Sequence, residues 1–176
     1  MDVLARGYWR CGCLLAAVLL TSCREIAAPA CPFQGEPDFG PSAGCLATVD
    51  RQLLLVEMRT GGMSPPGGSS RPGESTQCTA HRETWEETGL DLMPGRLLDV
   101  FDTGFHLYHC QYYRNFDPLV ARQTAVKRAL WLPLQELDRV PGRFAGQGPV
   151  LRSLAEQVDR FEPGPGRGTD NPEEAP

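Results

Sequence analysis

The chain has no excess of basic residues and no apolar run long enough to cross a membrane as an ordinary helix. Its 17 Lys and Arg residues are outnumbered by 22 Asp and Glu residues, so its formal net charge is −5. A nucleic-acid-binding surface needs a basic face, and we therefore expect no nucleic acid as a partner. The apolar run at residues 13–20 is shorter than the roughly 20 residues that span a bilayer.

The start of the chain nevertheless carries a targeting pattern. Two arginines precede the apolar run, which gives the form of a secretory signal peptide. The sequence Leu20-Thr-Ser-Cys23 follows and resembles a bacterial lipobox, in which the cysteine is lipidated and becomes the new N-terminus. We expect a signal peptide at residues 1–22 and an exported protein, either periplasmic or held at a membrane by lipid at Cys23.

Two other interpretations of this segment remain open. An A-x-A pattern at residues 28–30 would release a soluble protein that begins at Cys31. A cytosolic protein with an apolar N-terminal helix is the third alternative.

Seven cysteines are present, and none of the spacings left after cleavage at Cys23 is the C-x2-C pair typical of a zinc site. That cleavage removes two cysteines, lipidates a third and leaves Cys31, Cys45, Cys78 and Cys110. An even number fits an oxidising compartment, with up to two disulfides in any of three connectivities. The alternative is that all four are small buried hydrophobic residues.

Length and composition predict one compact domain. Residues 42–160 are numerous enough for a single hydrophobic core. A proline-containing tether at residues 23–41 precedes the domain. The tail at residues 161–176 is rich in Pro and Gly and cannot bury apolar area, so we expect it to be disordered.

The most informative segment lies at residues 68–90. Seven residues there follow the spacing G-x5-E-x7-R-E-U-x-E-E-x-G-U, where U is a bulky apolar residue: Gly68, Glu74, Arg82, Glu83, Glu86, Glu87 and Gly89. This pattern resembles the Nudix box of the Nudix hydrolases. Leu90 fills the last apolar position, whereas Thr84 is a polar departure at the first.

The chemistry of this segment can also be argued from its residues. A helix is predicted over Thr76–Thr88, with Ser75 or Thr76 as its N-cap and Gly89 just past its end. Spacings of three and four place Glu83, Glu86 and Glu87 on one side of that helix. Three clustered carboxylates repel one another unless a hard cation binds them, so we expect Mg²⁺ or Mn²⁺. A solvated acidic helix face is the alternative.

The resemblance implies a role for each residue of the box. Glu83, Glu86 and Glu87 would hold the metal, with Glu74 as a second-shell or water-mediated ligand. Arg82 would orient the catalytic glutamates Glu83 and Glu86, although an ordinary salt bridge to Glu86 also fits its spacing. For Glu74 the alternative is compensation of the helix dipole in the first turn. Gly67 and Gly68 allow the backbone to approach a ligand closely.

Alternating hydrophobicity predicts strands at residues 44–49, 53–58, 96–101, 105–113 and 129–132, the first two joined as a hairpin. A turn of helix is predicted at residues 134–137. A final amphipathic helix should begin at Gln147 or Pro149 and end near Phe161. Strands with helices on two sides make an α/β/α sandwich with a mixed sheet, which is also the fold that the resemblance implies.

The chain departs from the Nudix pattern in two places. Pro65 stands where relatives have an apolar residue before the Gly-Gly pair. Many relatives carry a further glutamate, as metal ligand or general base, in the stretch that corresponds to residues 119–128; here that stretch has Arg122, Gln123, Lys127 and Arg128 instead. Either Glu83 or the nearby Asp117 then serves as base, or the activity is weak. The basic residues either contact substrate phosphates or form a solvated loop.

The histidines and tyrosines carry weaker signals. We assign no role to His81 or His109, since neither has a visible partner in the sequence. His106, together with Tyr108, Tyr112 and Tyr113, would line a ring-stacking pocket, or these alternating strand residues pack in the core.

We therefore expect a metal-dependent pyrophosphohydrolase that cleaves a small-molecule diphosphate, such as a nucleoside diphosphate linked to another moiety. The alternative is a Nudix-fold module that binds a nucleotide or sugar diphosphate with little or no turnover. The three helix carboxylates favour the enzyme, and the missing downstream glutamate favours the binding module.

Overall fold

The computed structural model describes residues 28–112 and 125–161. Within these residues the strands are β1 (Ser42–Leu46), β2 (Thr48–Val49), β3 (Gln52–Met58), β4 (Met63–Ser64), β5 (Gly67–Ser69), β6 (Leu92–Val100), β7 (Phe105–Tyr112) and β8 (Val126–Pro133). The helices are α1 (Thr76–Thr88), a 3₁₀ helix (Leu134–Arg139) and α2 (Gln147–Phe161).

The strands form two sheets. The first has the order β5-β1-β7-β6 and is mixed, because β1 pairs with β7 in parallel while the other pairs are antiparallel. The second has the order β2-β3-β4, with β8 also paired to β3. The predicted α/β fold with a mixed sheet is therefore confirmed. The segment expected as one strand at residues 44–49 divides at Ala47, so β1 and β2 enter different sheets.

The two helices cover opposite faces of these strands. Along β3, Leu53 and Leu55 pack in the apolar cluster that contains α2, whereas Leu54 packs in the cluster that contains Ala80 of α1. Side chains alternate in direction along a strand, so adjacent leucines must reach different cores. Burying each leucine contributes roughly 1.5–3 kcal/mol. This arrangement is the predicted sandwich, with α1 and α2 as its outer layers.

Helix α1 begins and ends at the predicted residues because both caps are present. The Ser75 hydroxyl accepts a hydrogen bond from the Cys78 N–H at 3.3 Å, and Gly89 adopts a left-handed conformation with φ 75°. The Gly89 N–H donates to the Trp85 carbonyl at 2.8 Å. All residues of α1 except Cys78 and Glu86 are buried. The helix therefore carries charged side chains into the interior.

Thr84, the polar departure in the box, is fully buried, and among the described residues its Oγ1 has no hydrogen-bond partner. An unsatisfied buried hydroxyl costs about 1–3 kcal/mol. Thr84→Val keeps the branched shape and should raise the free energy of unfolding by about 1 kcal/mol in urea denaturation. The matched control is Thr88→Val, which should lower that free energy, because Thr88 donates to the Thr84 carbonyl and accepts from the Leu90 N–H. Destabilisation by Thr84→Val would show that the hydroxyl is satisfied.

Two disulfides select one of the three possible connectivities. Cys31 is bonded to Cys78 of α1, and Cys45 of β1 is bonded to Cys110 of β7. The first attaches the segment before β1 to α1, and the second crosslinks parallel neighbours of the mixed sheet. Disulfides, rather than four buried free thiols, therefore account for these cysteines.

Alkylation of the denatured, unreduced protein should leave these four cysteines unmodified. Peptide mass spectrometry should then find Cys31 linked to Cys78 and Cys45 linked to Cys110. Alkylated Cys45 or Cys110 would contradict the pairing and return these residues to the buried-thiol interpretation.

Other elements differ from the pattern in extent. No strand was predicted in the stretch that contains β4 and β5. Strands β6 and β8 begin earlier than the predicted residues 96 and 129. The hairpin is confirmed between β2 and β3, where Asp50 and Arg51 have φ of 47° and 60°. Positive φ at both turn residues gives the twist of a two-residue hairpin. Among the described residues, no helix combines the length and the apolar character that crossing a bilayer requires.

Candidate active site

The loop before α1 lies directly on the carboxylates of the helix. The Gly67 N–H donates to Glu87 Oε2 at 2.9 Å. At Gly68, an added Cβ would stand 2.5 Å from the Glu83 carboxyl carbon, so a side chain there would displace the Glu83 carboxylate. The backbone of these two glycines therefore lies against Glu83 and Glu87, and its predicted close approach to a ligand stays a prediction.

Glu87 is 3% exposed and is the most perturbed acid of the site. Burial raises its pKa to about 8, and the charges of Glu83 and Glu86 act in the same direction. The Gly67 N–H and the positive charge of Arg143 oppose this shift without cancelling it. A buried carboxyl surrounded by like charges is the environment that a bound cation would stabilise.

Arg82 connects the parts of the site. Its Nε and Nη2 donate to the two oxygens of Glu74, both at 2.8 Å, and its Nη1 donates to Glu83 Oε1 at 2.6 Å. Nη2 also donates to the Ser69 carbonyl at 2.9 Å. The expected contact with Glu86 is the longest, at 3.5 Å. Hydrogen bonds to Glu74, followed by those to Glu83, raise the pKa of Arg82 against the effect of burial.

Glu74 is held on all sides by donors. Besides Arg82, its Oε2 accepts from the Arg71 N–H at 2.9 Å and from the Thr79 hydroxyl at 3.0 Å. Burial alone would raise the pKa of Glu74, but these hydrogen bonds, led by Arg82, lower it to about 2. Glu74 is therefore ionised at neutral pH and fixes the guanidinium of Arg82. Its predicted part as a water-mediated metal ligand stays a prediction.

Glu86 is the most accessible carboxylate of the set. It faces the exposed Arg71, whose Nη2 lies 3.1 Å from Glu86 Oε1. The structure thus brings the predicted catalytic, metal-binding and loop residues together along one side of α1 and its preceding loop: Gly67, Gly68, Glu74, Arg82, Glu83, Glu86 and Glu87.

The donor chemistry of this site fits a hard divalent cation, because every candidate ligand is a carboxylate oxygen. In residues 28–112 and 125–161, however, no group of three or more Asp, Glu, His or Cys side chains stands close enough to hold a metal ion. The ion pair between Glu83 and Arg82 is one reason, since it directs Glu83 toward the guanidinium.

Several residues outside the box have a structural explanation. His81 is buried and its Nε2 lies 2.9 Å from Asp91 Oδ1, a partner that follows the helix end. Tyr108 is 1% exposed, and its hydroxyl lies 2.6 Å from Thr76 Oγ1 and donates to Asp38 at 2.9 Å. Burial raises the pKa of Tyr108 to about 12. The core interpretation of Tyr108 is therefore correct.

The structure describes only some of the basic residues in the stretch 119–128, in which many relatives carry a further glutamate. Lys127 and Arg128 lie on β8 and pair with Glu57 of β3 at 2.7 and 2.6 Å. Hydrogen bonds from Lys127 and then Arg128 lower the pKa of Glu57. Asp117 and Arg122 lie outside the described residues, as does Cys23.

The sequence patterns did not single out the loop at residues 141–146. The Met63 carbonyl accepts from the Arg143 N–H at 2.8 Å, which places this loop beside β4. An aromatic residue between glycines, in the run Gly142-Arg-Phe-Ala-Gly146, is a sequence signal that would have indicated this loop.

Comparison with known families agrees with this geometry. A family model described as the NUDIX domain matches residues 38–154, more than half of the chain. The chain belongs to the Nudix family. The predicted membership of the Nudix family is thereby confirmed, and enzymes of this family generally use a divalent metal such as Mg²⁺.

One curated relative is the NAD-capped RNA hydrolase NudC of Stutzerimonas stutzeri (strain A1501). It is 29% identical over 149 residues, covering 80% of this chain and 53% of NudC. The chain thus spans about half the length of the curated relative that it matches.

Solved structures confirm the fold. An ADP-ribose pyrophosphatase from Streptococcus suis 89-1591 superposes with a TM-score of 0.60 at 19% identity, covering 69% of this chain and 92% of that one. A NUDIX hydrolase from Nitrosomonas europaea gives 0.57 at 24% identity, with 71% and 90% covered. At these identities the likeness concerns the fold alone.

Proposed function

We propose that this Nudix protein is a metal-dependent hydrolase that cleaves a diphosphate linkage in a nucleoside diphosphate bonded to another moiety, or in a related organic pyrophosphate. The observation that carries the proposal is the contact of the Gly67–Gly68 backbone with Glu87 and Glu83. Because glycine has no side chain, the backbone of this loop lies directly beside the carboxylates. A metal–diphosphate complex would need both the backbone N–H groups and the carboxylates as partners.

Glu83, Glu86 and Glu87 are the residues we propose as holders of Mg²⁺ or Mn²⁺, with Glu74 contributing through a water. When bound, such an ion would activate a water molecule and neutralise charge on the phosphates. Arg82 acts as a positioning residue, because it ties Glu83 to Glu74 and to the Ser69 carbonyl. Loading the site requires the Glu83 carboxylate to turn partly away from this guanidinium.

The direct test is a panel of diphosphates with Mg²⁺ or Mn²⁺, followed by chromatography and mass spectrometry of the products. The panel should hold nucleotide sugars, dinucleoside polyphosphates and lipid-linked diphosphates. It should also hold NAD and NAD-capped RNA, because the NudC relative is named for the latter. We expect metal-dependent cleavage of at least one small diphosphate in the panel. Cleavage that persists in excess chelator would overturn the metal requirement.

A diphosphate-binding module with little turnover is the second candidate. Two observations favour it: Arg82 pairs with both Glu74 and Glu83, and residues 119–128 contain no glutamate. Binding of nucleotides without hydrolysis of any panel member would select this candidate over the enzyme.

We further propose that the protein is exported and anchored through lipid at Cys23. The two disulfides support export, because disulfides persist mainly in oxidising compartments. A diacylglyceryl thioether with an added acyl chain supplies several buried hydrocarbon tails, and two or more such tails anchor a protein stably.

Cys23→Ser should move the protein from the detergent phase to the aqueous or unprocessed fraction in a detergent-partitioning experiment, while the domain stays folded. The matched control is Cys13→Ser, which falls within the predicted signal peptide and should not alter partitioning. Wild-type protein found only in the aqueous phase, with its N-terminus at Cys31, would replace the lipid anchor by signal-peptide release.

A further inference from the structure

The guanidinium of Arg71 lies at the outer rim of the candidate active site. Its side chain is 65% exposed, and its Nη2 donates to Glu86 Oε1 at 3.1 Å. The other oxygen of Glu86 accepts from Nη1 of Arg82 at 3.5 Å. Both oxygens of the most accessible carboxylate therefore face guanidinium groups. Because Glu86 is one of the proposed metal ligands, a divalent cation that binds it must compete with at least one of these partners.

The backbone of Arg71 is held by a tight turn at residues 71–74. The Glu74 N–H donates to the Arg71 carbonyl at 3.0 Å, and Pro72 and Gly73 occupy the two central positions. With φ of 77° at Gly73, this is the residue pattern of a type II turn. The Arg71 N–H donates to Glu74 Oε2 at 2.9 Å, and Arg82 fixes Glu74 in turn. The Cα of Arg71 is thus fixed beside the carboxylates, whereas its exposed side chain is free to turn about that point.

Of the two guanidinium groups, that of Arg71 is the easier to displace from Glu86. Arg82 is buried and donates to Glu74, Glu83 and the Ser69 carbonyl, so its movement would leave buried carboxylates without a partner. An exposed ion pair such as that of Arg71 with Glu86 contributes little and is screened by salt. A cation that binds Glu86 therefore displaces Arg71 first.

A displaced Arg71 has a second partner of suitable chemistry in a diphosphate. The carboxylates of α1 repel an anionic substrate, and an exposed cation at their rim opposes this repulsion. A planar guanidinium also binds phosphate oxygens through two parallel charge-assisted hydrogen bonds. A phosphate attached to a metal ion on Glu86 would lie next to the side chain that contacts Glu86 itself.

We propose that Arg71 exchanges partners: it pairs with Glu86 before the metal binds, and it contacts the diphosphate of the substrate once Glu86 holds the metal. The inference rests on the proposed function and adds a substrate-binding residue to that site. Loss of the guanidinium then has two effects of opposite sign. Metal affinity rises, because Glu86 loses a competing partner, and diphosphate affinity falls, because the substrate loses a contact.

Binding measurements on the full-length protein test both effects without turnover. Electron paramagnetic resonance of free Mn²⁺ gives the metal affinity. Titration calorimetry with methylenediphosphonate, whose P–C–P bridge resists hydrolysis, gives the diphosphate affinity in excess Mg²⁺. Compared with wild type, Arg71→Met should bind Mn²⁺ about threefold more tightly, as loss of an exposed competing ion pair predicts. It should bind methylenediphosphonate about tenfold more weakly, as loss of charge-assisted hydrogen bonds predicts.

Two further variants assign these effects to the guanidinium. Arg71→Lys keeps the charge without the planar fork, so its affinity for methylenediphosphonate should lie between those of wild type and Arg71→Met. Arg160→Met is the matched control. It removes one exposed positive charge from the last turn of α2, on the face of the strands opposite α1, and should change neither affinity.

Any other combination of the two shifts in Arg71→Met overturns the proposal. Weaker binding of both probes would mean that Arg71 only supports the structure of the site. Tighter Mn²⁺ binding with unchanged affinity for methylenediphosphonate would mean that Arg71 is only a counter-ion of Glu86. The result is separable from the test of the proposed function. Opposite shifts with no hydrolysis of any diphosphate support the role of Arg71 and overturn the hydrolase, whereas hydrolysis without opposite shifts overturns the role of Arg71 alone.

Discussion

Replacing Glu87 by Gln should lower turnover of a cleaved diphosphate at least about a hundredfold, and Glu83→Gln should have an effect of the same order. Both substitutions keep the shape of the side chain and remove one negative charge from a site that must hold a dication against the charge of a diphosphate. Glu87→Gln also retains an oxygen that accepts from the Gly67 N–H, so the loop keeps its contact. Initial rates with saturating Mg²⁺ measure the effect.

The control for this prediction is Glu156→Gln, which alters an exposed carboxylate of α2 and should leave turnover unchanged. Turnover within a few fold of wild type in both box variants would remove Glu83 and Glu87 from the mechanism. A loss with Glu83→Gln alone would assign the metal-binding role to Glu83 rather than to Glu87.

The pH dependence of stability distinguishes lost turnover from lost folding in Glu87→Gln. The pKa of Glu87 is raised from 4.5 to about 8 by burial, so between these pH values the unfolded chain loses a proton that the folded, metal-free protein keeps. The stability of metal-free wild type should therefore fall as pH rises through this window. Glu87→Gln removes that penalty and should be more stable than wild type at pH 8, by a few kcal/mol. At pH 4 the two proteins should be nearly equal.

The parts of the fold that were predictable from the sequence depend on local chemistry. Helix α1 has the predicted bounds, because Ser75 and Gly89 satisfy its ends through contacts within a few residues. The β2–β3 hairpin likewise depends on a two-residue turn. These features need no knowledge of distant parts of the chain.

The parts that were missed depend on pairing between distant segments. Strand β5 contains Gly67-Gly-Ser69, which has low strand propensity, and it is a strand because it pairs with β1. The division of residues 44–49 between two sheets follows from the same cause. β1, which pairs with β7, ends before Ala47, and β2, which pairs with β3, begins after it.

In the candidate site, too, the arrangement along the helix was predictable and the contacts made by the loop were not. Helical spacing predicted that the carboxylates share one side of α1. The dominant contact of Arg82, however, is with Glu74 rather than with Glu86 one turn away. Glu74 reaches Arg82 because the Glu74 N–H donates to the Arg71 carbonyl and the loop turns back over the helix. The spacing of residues in the sequence does not predict a loop conformation of this kind.

The pairing of Arg82 leads to the prediction with the largest effect on stability. Arg82→Met should lower the free energy of unfolding by about 3 kcal/mol, because it leaves the buried carboxylate of Glu83 and the half-buried carboxylate of Glu74 without their cation. Urea denaturation at pH 7 measures this change. Arg71→Met is the matched control, since the exposed ion pair of Arg71 with Glu86 should contribute under about 0.5 kcal/mol.

The pH dependence of the Arg82→Met effect identifies its cause. Burial opposes ionisation of Glu74, yet Arg82 and the other donors lower its pKa from 4.5 to about 2. A lowered acid pKa stabilises the folded state above the unfolded pKa, and that contribution disappears as pH falls from 4.5 toward 2. The gap in stability between wild type and Arg82→Met should therefore shrink as pH falls below 4.5. Adding Glu74→Gln to Arg82→Met should recover part of the loss at pH 7, because it removes a carboxylate that has lost its partner. A gap that is independent of pH, with no recovery in the double variant, would mean that Arg82 stabilises the fold through packing of its aliphatic stem rather than through charge.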